Sequence, residues 1–226
     1  KFVQFKGNTF SNAEYGIIGV NSSLLVIPDA NGTGNKFFQM NVGETHANIF
    51  TSPFYANRIE NNLYSGPVYP ILAWGGMIDK INNNDIRGAF VGIGLVNDRG
   101  YFVNDNLVGS SLGSCLVGIS ASNSGTMGGL IGRANSTTGN LFTSCMNGTM
   151  MGGNNSFLQV NCNTYVNPTA ANYNTNWNNF GPLANQGNFP IINDQDPAGN
   201  TFAQFSPLRN QINSITLFDY YAHSAD

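Results

Sequence analysis

The sequence predicts an all-β chain wound as a right-handed parallel β-helix, with coils of about 22 residues and loops inserted at the corners. Three observations carry this. Only 9% of residues are charged against 41% hydrophobic and 12% aromatic, whereas ordinary domains carry roughly a quarter charged residues. Solubility therefore rests on amides and hydroxyls, while the apolar content is too high for a disordered chain. A short unit returns at a fixed step. Residues that did not define the step nevertheless fall into apolar columns when the step is applied to them.

The unit is Ile59-Glu60-Asn61-Asn62-Leu63-Tyr64-Ser65-Gly66, which returns as Ile81 to Gly88 and as Val103 to Ser110, in steps of 22. That length suits three short strands with their turns and is too short for most helix-pair repeats. Later in each unit, Ile71, Ile93 and Cys115 form one expected column and Ala73, Leu95 and Val117 another, two residues apart as neighbours on one face of a strand must be. Between them, Leu72, Gly94 and Leu116 are expected to face outward, an unusually apolar outer face. Asn62, Asn84 and Asn106 form a predicted asparagine ladder, in which each buried amide bonds the identical group one coil away.

The signature Asn-x-apolar extends the register to Asn8-Thr9-Phe10, Asn35-Lys36-Phe37, Asn140-Leu141-Phe142, Asn163-Thr164-Tyr165 and Asn200-Thr201-Phe202. Gly precedes the Asn in all of these except the one preceded by Cys162. Irregular steps between them place insertions at corners, where a solenoid tolerates them. The whole of 1–226 reads as one β-helix segment, with a loop-rich excursion at about 168–196 and a final coil over 197–226. An antiparallel sandwich shares the short strands and Gly-rich turns but does not require columns at a fixed step. The chain starts without Met or a signal segment and is expected to be a piece of a longer protein.

Nine basic residues are scattered and the net charge is -3, so no stripe tracks a phosphate backbone and nucleic acid is not an expected partner. Hydrophobic runs are far shorter than the ~20 residues of a membrane helix, so membrane insertion is not expected either. Cys115, Cys145 and Cys162 are too few for a disulfide scaffold; Cys115 is expected as a free, buried thiol.

Several segments resemble the right-handed β-helix regions of very large extracellular proteins of Bacteroidota, which export them through the type IX secretion system. They are the coil signature around Asn62, Asn84 and Asn106, the run Asp196-Pro197-Ala198-Gly199-Asn200-Thr201-Phe202, and the ending Ile215 to His223. Gly128-Gly129-Leu130-Ile131-Gly132 is similar to a Gly-Leu-rich repeat of bacterial surface adhesins. The resemblance implies export to the cell surface, attachment through the secretion or anchoring machinery, and an adhesin-like role; it names no ligand.

For chemistry, a glycoside hydrolase needs two carboxylates facing each other across the bond, and a lyase needs a base beside acidic groups. The residues an enzyme would use are Asp79, Lys80, Arg58 and Asp98, with Glu60 nearby; Asp85 and Asp105 are further carboxylates in the coils. No two of these carboxylates share a column, and ion pairing or turn capping accounts for them equally well. A non-catalytic scaffold is therefore the expectation, with a β-helix lyase or hydrolase and a trimeric phage tailspike as its rivals. His46 and His223 stand in no metal spacing, and no cofactor is expected, although Asp194 and Asp196 offer oxygen ligands of the kind calcium takes. Aromatic rings stack on sugar faces while amides bond hydroxyls, so Tyr69, Trp74, Tyr173 and Trp177 are the candidate ligand residues and a polysaccharide or cell-surface glycan the expected partner.

Overall fold

Strands this short stand only if each is paired on both sides, and a coil that climbs one strand spacing per turn supplies that pairing. The structure, a computed structural model, describes residues 2–12, 15–20, 22–38, 47–52, 58–60, 62–65, 69–77, 80–109, 115–124, 128–133, 139–167, 175–180, 201–204 and 218–222. A three-strand succession runs through β1 (Phe2–Lys6), β2 (Thr9–Ser11) and β3 (Ile17–Val20), then β4 (Ser23–Ile27), β5 (Lys36–Phe38) and β6 (Ala47–Ser52). It continues through β7 (Arg58–Glu60), β8 (Leu63–Ser65) and β9 (Tyr69–Trp74), then β10 (Lys80–Asn82), β11 (Asp85–Arg87) and β12 (Ala89–Val96). Next come β13 (Tyr101–Asn104), β14 (Leu107–Val108) and β15 (Cys115–Ser122), then β16 (Gly129–Gly132), β17 (Leu141–Thr143) and β18 (Cys145–Gly152). Last are β19 (Leu158–Asn161), β20 (Thr164–Asn167), β21 (Thr175–Phe180), β22 (Thr201–Gln204) and β23 (Phe218–Ala222).

Like strands stack on like, giving, among the described residues, one 7-stranded and two 8-stranded sheets in which neighbouring strands run parallel. The chain is an all-β parallel β-solenoid. Every sheet sends side chains into the interior, the third in two columns, one of Ile71, Ile93 and Ile119 and one of Ala73, Leu95 and Ala121. The first sheet supplies Phe5, Val26, Ile59, Ile81, Val103, Ile131 and Val160 in register. The second supplies Phe10, Phe37, Tyr64, Ile86, Val108, Phe142 and Tyr165, and the strand spacing brings its rings face to face at 4.8 Å for Phe10 on Phe37 and 4.7 Å for Phe142 on Tyr165.

The predicted ladder is present and longer than its three founding members. The Oδ1 of Asn35 accepts from the Asn8 backbone N–H and Nδ2, and the relation repeats from Asn35 to Asn62, Asn84, Asn106, Asn140 and Asn163. The remaining Nδ2 hydrogen goes to a carbonyl one coil back, as from Asn84 to Ile59 at 2.9 Å. Residues just before the ladder position, Gly7, Asn83, Asp105 and Cys162, sit at positive φ between 54° and 62°. Gly adopts this left-handed turn freely and Asn or Asp with little penalty, which accounts for Gly7, Asn83 and Asp105 at this position.

The coil length departs from the expectation. Ladder steps run 27, 27, 22, 22, 34 and 23 residues, so the value of 22 belongs to the middle coils only. The extra residues shift the third sheet. Ile71 and Ile93 stack as expected, but Ile119, not Cys115, lies on Ile93, and Ala121, not Val117, lies on Leu95. Cys115 is free and buried as expected, but its neighbours in register are Ala89 and Cys145. Residues 175–180, within the stretch expected to leave the coil path, form β21 and pair in the third sheet; β22 and β23 belong to the expected final coil.

Candidate functional site

The outer face of the third sheet is where the fold assembles an open site. Strict alternation fails in β12, whose burial runs through five consecutive residues from Val91 to Leu95. The cause is Gly92, which faces inward: a Cβ on it would lie 2.9 Å from Val108 Cγ1 and 2.6 Å from the Gly118 carbonyl oxygen. Gly118 is under the same constraint, against Phe142 Cδ1 at 2.7 Å and the Gly148 carbonyl oxygen. With Gly92 turned in, Phe90 and Val91 both line the outer face, as local kinks in strands re-aim side chains.

The result is a groove of about 820 Å³. In register along its floor lie Leu72, Gly94, Ser120 and Met150. Small residues at Gly94 and Ser120 make the depression, and Leu72 leans over Gly94, where a Cβ would meet its Cδ1 at 2.9 Å. Tyr69, Trp74 and Phe90 line its sides. Trp74 is 49% exposed and Phe90 51%, and Tyr69 meets Phe90 edge to face with centroids 6.4 Å apart. Hydrogen-bonding groups enter the lining through Ser120, Asn147, Tyr15 and Tyr69, and no described lining residue is charged.

Of the sequence-derived ligand candidates, Tyr69 and Trp74 meet in this groove. Trp177 lies on β21 in the same sheet, in backbone register with Thr149 and Tyr220; Tyr173 lies outside the described residues. The outward placement of Leu72 and Gly94 is found, and the apolar outer face anticipated from them is this groove. Phe90, Ser120 and Met150 were not singled out in the sequence. Their signal was the glycine recurring at 92, 118 and 148, at steps the 22-residue period does not follow.

The charged candidates sit elsewhere. Lys80 is exposed on the first sheet, its backbone paired with Arg58 as expected, and Glu60 pairs with Asn82 on the same strands. Asp79, Asp194 and Asp196 lie outside the described residues. Asp98 is fully buried at a corner, where its Oδ1 accepts the Gly76 N–H while its own N–H donates to Ser124 Oγ at 3.1 Å. Ser124 N–H then donates to Asn155 Oδ1 at 2.9 Å. Asp98, Ser124 and Asn155 therefore form a second corner ladder with a structural task. Asp85 and Asp105 are ion-paired to Arg87 and Arg133, and the hydrogen bond and charge of Asp85 raise the Arg87 pKa.

Among the described residues no group of three or more His, Cys, Asp or Glu is placed to hold a metal, and no helix is long and apolar enough to cross a membrane. No protein-family model, curated protein or solved structure matches the chain.

Proposed function

We propose that this chain is a non-catalytic scaffold segment of a large extracellular cell-surface protein, and that it adheres to carbohydrate through the groove on the third sheet. One observation carries the reading: Tyr69, Trp74 and Phe90 converge beside a shallow open floor, with Trp74 and Phe90 about half exposed. Aromatic faces kept in water without a partner are costly, and sugar rings cover them while their hydroxyls reach flanking amides and hydroxyls. The solenoid supports the scaffold half of the reading, since stacked coils hold that surface rigid over several strands. Surface location and export rest on the adhesin-like resemblance of the sequence.

The test compares glycan binding and polysaccharide turnover for the wild type, Trp74→Ala, Trp177→Ala and Asp79→Ala. Binding that weakens by about tenfold or more in Trp74→Ala, the scale of losing a well-packed aromatic contact, with no turnover in any protein, is the expected result. Turnover abolished by Asp79→Ala would replace the scaffold reading with a β-helix lyase or hydrolase.

A further inference from the structure

We infer that the groove selects an uncharged, linear glycan lying along the solenoid axis, and excludes uronate polymers; this rests on the carbohydrate reading above. Direction comes from the lining. The floor residues Leu72, Gly94, Ser120 and Met150 belong to successive strands β9, β12, β15 and β18, which at ~4.8 Å per strand makes a track of roughly 14 Å along the axis. A polymer running with the track keeps an outward floor position under it at each level, with Tyr69 and Trp74 beside it on β9 and Phe90 on β12. A chain laid across it leaves the floor after one strand width.

The charge preference comes from what the lining lacks and what it has. No described lining residue is cationic or anionic, so a carboxylate seated there gives up water without gaining a counter-ion, a loss that disfavours charged groups strongly. The basic residues Arg87 and Arg133 are engaged with Asp85 and Asp105. A neutral sugar presents its C–H face to Trp74 or Phe90 and turns its hydroxyls toward Ser120 and Asn147. A plain acyl chain gains from the apolar walls but leaves those polar groups uncovered, and it fits an enclosed cavity better than a half-open track.

Isothermal titration of the intact chain with three probes tests this: a neutral β-linked glucose oligomer, a galacturonate oligomer of the same length, and laurate. The expected result is that the glucose oligomer binds and tightens with length up to the span of the track, while the uronate binds at least about tenfold more weakly. Gly94→Leu and Ser120→Phe fill the floor from the outer face and should each abolish the neutral binding, with unchanged far-UV circular dichroism as the control for folding. Gly94 lies outside the left-handed region and its crowding partner is the flexible end of Leu72, and Ser120 already carries an outward side chain, so one variant suffices if the other fails to fold. Equal or tighter uronate binding overturns the selectivity while leaving a carbohydrate reading intact. Neutral binding untouched by the filled floor overturns the placement of the ligand. Binding of laurate alone, or of nothing, removes both this inference and the reading it rests on.

Discussion

Asn84 shows what one residue does in this molecule. Its Oδ1 accepts the Asn62 backbone N–H and Nδ2, its own N–H and Nδ2 donate to Asn106, and it is buried. Asn84→Ala leaves two buried donors of Asn62 without their acceptor, and each orphaned group costs ~1–3 kcal/mol. Urea denaturation should therefore show a loss of about 2–6 kcal/mol, whereas a surface replacement such as Lys80→Ala should stay within about 0.5 kcal/mol. The interior phenols make a second claim at this scale. Burial raises the pKa of Tyr64, Tyr101 and Tyr165 above the ordinary 10.0. A raised folded pKa means the native state holds its proton longer than the unfolded chain, so their contribution is complete below pH 10 and is lost as pH rises above it. The share of stability these phenols carry should fall above pH 10 by up to ~1.4 kcal/mol per pH unit for each phenol, added to the change from the Cys145 thiol, whose pKa is also raised by its hydrogen bond with Cys115 and by burial. Tyr64→Phe should remove one such share of the slope; a slope unchanged in that variant would refute the assignment.

At the scale of the strand, glycine does what no periodicity announces. Gly118 faces inward over Gly148 and beside Phe142, so Gly118→Ala drives a methyl into a backbone carbonyl that cannot step aside. Overpacking of this kind costs typically ~1–3 kcal/mol, while Gly152→Ala, with nothing within 4 Å of the added carbon, should be silent. Comparing the two melting temperatures checks this. The same residues explain what could be read in advance. The asparagine ladder was legible because each Asn must bond its counterpart directly, which forces one residue type into one column whatever the loop length between. The third sheet was legible only up to Ile93, because a fixed step of 22 cannot follow a coil in which Ile119 arrives 26 residues later. A step of 22 puts Cys115 on Ile93, whereas the longer coil seats it on Ala89. Tyr69 and Trp74 were picked out as aromatic, yet their meeting with Phe90 depends on the inward turn of Gly92, which shows up as a clash between coils and not as a pattern along the chain.

Across the whole molecule, stability is a sum of contacts between neighbouring coils, because each coil touches only the one before and the one after. Cooperativity then depends on every junction being intact. Gly109 sits at one such junction, between β14 and β17, at φ 81° and with the Thr143 carbonyl where its Cβ would be. Gly109→Val is therefore both strained in backbone and blocked in space, and the blockage falls between the coils that carry Asn106 and Asn140. The damage should stay local in position yet change the form of the transition. Coils up to β14 keep their own ladder from Asn8 to Asn106, and coils from β17 onward keep Asn140 and Asn163. Urea unfolding of Gly109→Val should thus split into two steps, and hydrogen exchange at an intermediate urea concentration should show amides of β7 to β13 protected while those of β17 to β20 have exchanged, or the reverse. A single transition, merely shifted to lower urea, would mean that coupling reaches beyond neighbouring coils and that the additive description of the solenoid fails.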